Sequence, residues 1–227
     1  MGTFTNLTAA DGTHIPAYVA QPEGKARGGV VVLQEIFGVN SHIQMVADGY
    51  AAQGYLAVAP STFHRVQQGV NLGYSSENMQ AGFALKTAVE ELPEPGVLQD
   101  IQAAISHAAQ AGRVGMVGYC WGGLLTWRSA CLLQGLSAAV PYYGGGVTAE
   151  PDASRKPTVP VLAHFGDQDH WIPLPTIEAF IQAHPEVEVH IYNANHGFNC
   201  DQRSSYNEAA ATLARERTLA FFGKHLG

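Results

Sequence analysis

Cys120 lies in the run Gly118-Tyr119-Cys120-Trp121-Gly122-Gly123, where a strand-like stretch ends and a helix begins. This G-x-nucleophile-x-G pattern places a reactive side chain on a sharp turn, and the flanking glycines leave room for the bend. The start of the helix aims free N–H groups and the positive end of its dipole at that turn, which favours a thiolate and any oxyanion formed on it. Taken alone, a cysteine is more often a small buried apolar residue than a nucleophile. The bracketing glycines and the strand–turn–helix setting reverse that preference here. Cys131 falls in an apolar helical stretch and reads as core. Cys200 follows His196 closely and reads as structural, with a place in the site wall as the other option.

A nucleophile on such an elbow needs an acid and a histidine after it in the chain, in that order. The strand-like run Val159 to Phe165 leads into Gly166-Asp167-Gln168-Asp169-His170, and Val187 to Tyr192 leads into Asn193-Ala194-Asn195-His196-Gly197-Phe198. His196 is the expected base. Asp167 and Asp169 compete for the acid, which would hold the imidazole in its useful tautomer, and Asp169 is favoured. His164, Asp167, Asp169 and His170 also form a run of metal-ligand residue types, but their spacing matches no zinc signature, so no metal or other cofactor is expected.

The elements that must hold these residues alternate along the chain. Thr3 to Thr8 and His14 to Ala20 read as a hairpin turned at Asp11-Gly12. Val30 to Leu33 is an apolar run of the kind buried on both faces of a sheet. A helix capped by Ser41 and running to about Gln53, a strand at Leu56 to Ala59, helices over about 77–92 and 97–111, and a strand at Val114 to Val117 follow. Beyond the elbow come a helix from Gly122 to about Gln134, strands at Ala138 to Tyr142 and over 159–165, a helix at Leu174 to Ala183, a strand over 187–192 and a closing helix over 205–222. Such β–α alternation predicts a mostly parallel central sheet with helices on both faces. The polar loop from Pro60 to Ser76 is long enough to be functional.

The chain has 227 residues, 46% of them hydrophobic and 14% charged, with a net charge of -7. One α/β domain over 1–227 is expected, with a core large enough to need no disulfide or metal. The negative charge and the lack of any basic block argue against nucleic acid as a partner. No apolar run reaches the length that spans a bilayer, so no membrane partner is expected. Three irregularly spaced cysteines and the absence of a leader pattern at the N-terminus suit a reducing cytoplasm.

Three stretches make the chain similar to the dienelactone hydrolase family of the α/β-hydrolases: Gln34-Glu35-Ile36-Phe37-Gly38-Val39-Asn40, the elbow from Gly118 to Gly123, and Asp167-Gln168-Asp169-His170 together with His196-Gly197-Phe198. The likeness runs from about Asp11 to Phe222. It implies the α/β-hydrolase fold and a Cys120–His196–Asp169 triad that cleaves small activated esters or lactones. It also implies that Glu35 stands by the nucleophile and governs its ionisation, since a carboxylate beside a thiol disfavours the thiolate. The backbone N–H groups of Trp121, next to the nucleophile, and of Ile36, after the first buried strand, would then bind the oxyanion.

One departure bears on substrate. The resemblance implies two arginines that clamp a substrate carboxylate, and this chain has Gln80 and Cys200 at those positions. Arg65 and Arg203 are the nearby cations that could replace them. Anionic substrates favour a bidentate guanidinium, so neutral esters are expected to be preferred. Phe37, Phe198, Trp121, Phe63, Tyr74, Tyr143 and Trp171 are candidate pocket aromatics. The rival reading is a non-catalytic small-molecule binding protein that reuses the fold.

Overall fold

The computed structural model describes residues 1–227. Thr3–Thr8 (β1) and His14–Ala20 (β2) pair antiparallel, and the turn between them places Gly12 at φ 84°. The Asp11 side chain accepts from the Thr13 N–H at 3.0 Å and fixes that turn. The remaining strands are Gly29–Leu33 (β3), Leu56–Pro60 (β4), Val114–Tyr119 (β5), Leu136–Tyr142 (β6), Leu162–Gly166 (β7) and Glu188–Tyr192 (β8). They form one sheet in the order β1-β2-β4-β3-β5-β6-β7-β8. The last six are parallel to one another, while β2 runs antiparallel to β4. This is the α/β-hydrolase fold.

Every residue of β3, β4 and β5 is buried, as expected where helices cover both faces of a parallel sheet. Ser41–Ala51 (α1) and Glu208–Leu226 (α6) cover one face, with Tyr50 and Phe222 meeting between them at 6.0 Å. Leu98–Ala108 (α3) and Trp121–Leu132 (α4) cover the other, and Leu174–Ala183 (α5) packs on α4 through Phe180 against Trp127 at 5.2 Å. Ser76–Glu90 (α2) is attached more lightly: only Gly82 and Val89 of its residues are buried.

Two helix starts differ from the sequence-based expectation for one reason. Asn40, not Ser41, caps α1, accepting from the Ile43 N–H at 3.3 Å, and Asn207 caps α6, accepting from the Ala210 N–H at 3.1 Å. In each case an asparagine side chain reaches the amide three residues on and fixes the boundary. The last helix therefore begins at Glu208 rather than Ser205 and continues to Leu226.

Because β3, β5, β7 and β8 are parallel, their carboxyl ends share one edge of the sheet, where α/β folds bind ligands. The loops leaving those four ends carry Glu35 and Ile36, Cys120, Asp169 and His196.

Candidate active site

The backbone of Cys120 has φ 56° and ψ −118°, a conformation an L-residue holds only when its surroundings impose it. Close packing does so. A Cβ at Gly118 would collide with the Gly122 carbonyl, and one at Gly122 would collide with the carbonyls of Leu33 and Gln34. The elbow thus pulls the start of α4 against the end of β3 and brings the Glu35–Ile36 loop beside Cys120.

His196 Nδ1 lies 2.7 Å from Asp169 Oδ2, and the other carboxylate oxygen accepts the Trp171 N–H at 2.8 Å. The Asp169 side chain is fully buried, whereas Asp167 is exposed and makes no such bond. Burial disfavours the charged form of His196, but the neighbouring Cys120 and the Asp169 carboxylate outweigh it and hold the imidazole above its ordinary pKa. Tyr143 packs edge-on to the His196 ring at 5.2 Å. The N–H of Ile36 donates to no acceptor in the protein, and that of Trp121 belongs to the unpaired first turn of α4, where helix amides have no acceptor within the helix.

The two other thiols are differently placed. Burial pushes Cys200 up to about 12, with Glu35 adding to the effect, and burial likewise pushes Cys131 up to about 12. Both stay protonated near neutrality and are poor nucleophiles.

Glu35 is buried, and its two oxygens are spoken for: Arg203 Nη1 donates to Oε1 at 2.9 Å and the Tyr74 hydroxyl donates to Oε2 at 3.2 Å. Neither bonds the Cys120 sulfur. Burial opposes the charge on Arg203, and Glu35 more than restores it, raising the guanidinium's pKa. The Arg203 guanidinium also lies 5.9 Å from the ring centres of Phe37 and Tyr74.

A cleft of about 390 Å³ opens over this arrangement. Cys120, His196, Ile36 and Trp121 form its floor, with Phe37 and Arg203 on one side. Met79, Phe83 and Lys86 line it from α2, and Gly145, Gly146 and Trp171 complete it. A larger groove of about 800 Å³ runs along α3 and α4 but contains none of Cys120, Asp169 and His196.

Several candidates from the sequence lie elsewhere. Arg65 is not in the cleft; it forms ion pairs with Asp100 at 2.6 Å and Asp11 at 2.8 Å. Gln80 is exposed on α2 and does not line the cleft, while Cys200 and Phe198 are wholly buried behind it. Phe63 stacks on Trp121 at 5.1 Å from below. The four metal-type residues from 164 to 170 are not gathered: His164 is buried and bonded to Thr218 at 3.0 Å and Tyr192 at 2.8 Å, whereas Asp167 and His170 are exposed. Sequence reasoning missed Met79, Phe83 and Lys86. Their spacing of four and then three residues puts them on one helix face, and that was the available signal.

A family model described as the dienelactone hydrolase family matches residues 15–226. A carboxymethylenebutenolidase from Pseudomonas putida is 36% identical over 227 residues, covering 95% of this chain and 94% of its own. A Synechocystis protein provisionally given the same name is 35% identical over 231 residues, covering 93% and 92%. A solved structure from Klebsiella pneumoniae, provisionally named a dienelactone hydrolase, aligns over 99% of both chains with a TM-score of 0.84 and 32% identity.

Proposed function

The chain belongs to the dienelactone hydrolase family and is a hydrolase of ester or lactone bonds; from that premise we propose that it works through Cys120 as nucleophile, His196 as base and Asp169 as the acid that orients it. The observation that carries this reading is the 2.7 Å bond from the His196 imidazole to the buried Asp169 carboxylate, beside a cysteine held at φ 56°.

In this scheme the Cys120 thiolate, stabilised by the His196 imidazolium, attacks the carbonyl carbon. The oxyanion is held by the N–H groups of Ile36 and Trp121; losing one such donor typically costs roughly 3–4 kcal/mol of transition-state stabilisation. Collapse expels the alkoxide or enolate, which takes the proton from His196 and leaves a thioester on Cys120. His196 then removes a proton from water, the resulting hydroxide adds to the thioester, and collapse releases the acid and restores the thiolate–imidazolium pair. Aryl esters and enol lactones suit this best, because their leaving groups need little help.

The lining of the cleft supports a second reading of substrate charge, set against the expected preference for neutral substrates. Gln80 and Cys200 stand outside it, so their identity says little about substrate charge. Lys86 and Arg203 are inside it, and Lys86 has no ion pair or hydrogen bond within the protein. A carboxylate on the substrate would find that free ammonium at the α2 wall.

The deciding experiment is rapid-quench mass spectrometry with a chromogenic aryl ester. An acyl adduct should appear on the peptide containing Cys120, and Cys120→Ala should lower kcat/KM by on the order of 10⁴-fold or more. Turnover that survives the substitution, or an adduct on another residue, would sink the scheme. Binding without turnover in the wild type would make this a binding protein instead.

A further inference from the structure

Behind the cleft, Glu35 from the loop after β3, His42 from the first turn of α1 and Cys200 from the loop after β8 converge. One ligand atom from each lies within 4.8 Å of the other two, and all three residues are buried. The scheme above uses neither His42 nor Cys200.

His42 is the anomaly. It is 2% exposed, yet neither ring nitrogen has a hydrogen-bond partner. Its Nδ1 faces Asp201 Oδ1 at 3.4 Å, an approach too poorly directed to make a hydrogen bond. Buried polar groups are nearly always satisfied, so an imidazole with both nitrogens idle points to a missing partner. A pocket of about 240 Å³ lined by His42, Asn199, Asp201 and Tyr206 gives that partner a way in.

The donor set identifies the partner's class. Thiolate, imidazole and carboxylate together suit a borderline-soft cation of the zinc type, not magnesium or calcium, which prefer oxygen alone. We propose that Glu35, His42 and Cys200 form a binding site for a zinc-class divalent cation. Asp201 stands where it can orient the His42 ring or supply a fourth oxygen, as carboxylates beside metal-bound histidines do. Glu35 can join without giving up Arg203 or Tyr74, because an ionised carboxylate offers about four acceptor positions. Two anionic ligands, Glu35 and the thiolate of Cys200, balance the charge of the ion. Binding releases the Cys200 proton to solvent.

The inference does not depend on the triad, and its test avoids it. Untagged Cys120→Ala protein, which lacks the one other cysteine beside a histidine in the cleft, is titrated with Zn²⁺ by calorimetry and with Co²⁺ by absorption. One equivalent should bind, and Co²⁺ should give a thiolate-to-metal charge-transfer band in the near ultraviolet. Adding Cys200→Ser should remove the band, and Cys200→Ser or His42→Gln should weaken binding by at least about 100-fold, since each deletes a ligand of a three-ligand site. Asp201→Asn, on an exposed side chain that folding does not need, should weaken it roughly 10–100-fold. No stoichiometric binding to the folded Cys120→Ala protein would overturn the site. So would a band and affinity that survive Cys200→Ser. If the buried substitutions fail to fold, unchanged affinity in Asp201→Asn overturns it as well.

Discussion

Cys120, Asp169 and His196 hang from the ends of β5, β7 and β8, whereas Met79, Phe83 and Lys86 project into the same cleft from α2. Within the first group, Cys120 and Asp169 follow strands buried along their whole length, and His196, after the edge strand β8, is held by its bond to the buried Asp169. The second stands on a helix that buries little of itself and leans, through Gly82, on the Ile36 backbone. Reacting atoms need positions good to a fraction of an ångström, and strand ends in a close-packed core provide them. A substrate wall needs shape and charge, and a lightly attached helix can change both without disturbing the chemistry. The contrast predicts that substitutions at the strand ends lower the rate for every substrate, while those on α2 re-rank substrates.

The largest effect after that of the proposed nucleophile, Cys120, is expected at the proposed acid, Asp169. Asp169→Asn should lower kcat/KM by roughly 10²–10⁴-fold for all esters, because the imidazole loses the bond that fixes its tautomer. Asp167→Asn should stay within about twofold, as befits an exposed side chain outside any network. The His196 pKa gives a second readout. It is raised in the folded protein, so the stabilisation from charging His196 is complete below its unfolded value near 6.5 and is lost as pH rises through the folded one. Asp169→Asn should move the His196 NMR titration to lower pH and narrow that window. An unmoved titration would detach Asp169 from the imidazole.

Substrate ranking comes next. Lys86→Met should lower kcat/KM for a carboxylated lactone by about tenfold, the loss of one charge-assisted hydrogen bond, and leave a neutral aryl ester within about twofold. Equal losses on both would show that α2 serves the chemistry and would break the comparison.

Glu35 sits between the two groups, and its substitution is the sharper probe. Glu35→Gln removes a negative charge near Cys120, so iodoacetamide should alkylate that thiol faster, with the rate–pH midpoint shifted downward. The shift should be modest, since Arg203 already balances Glu35. Measured with Cys131 and Cys200 replaced, identical profiles would leave Glu35 a partner of Arg203 alone.

Least in activity is Arg65. It anchors the buried Asp100 far from the cleft, so Arg65→Ala should cost about 3–5 kcal/mol of stability, read as a lower Tm. Its kcat/KM should not change for either class of substrate; a selective loss on the anionic lactone would return Arg65 to the site.

What could be read from the sequence was local or ordered. The sharp turn between β5 and α4 is legible within six residues, and the loops that carry Asp169 and His196 follow from the order of strands. The fold followed from apolar runs alternating with helices. That His196 meets Asp169 and not Asp167 could not be read from the sequence, because two aspartates separated by one residue differ only in where the turn points them. Arg203 finds Glu35 across 168 residues, a pairing that no spacing rule can express. Gln80 shows the limit of counting along a helix: it is one residue from Met79, and one residue turns a side chain through about 100°, out of the cleft.

The conformation of Cys120 has a consequence for anyone improving this protein by selection. A residue at φ 56° and ψ −118° gives up on the order of 1–3 kcal/mol that glycine would largely recover. On the proposed scheme, Cys120→Gly therefore relaxes the backbone while deleting the nucleophile. A library sorted by heat resistance alone will enrich inert proteins at that position. Robustness and turnover must be screened together, because at residue 120 they pull in opposite directions.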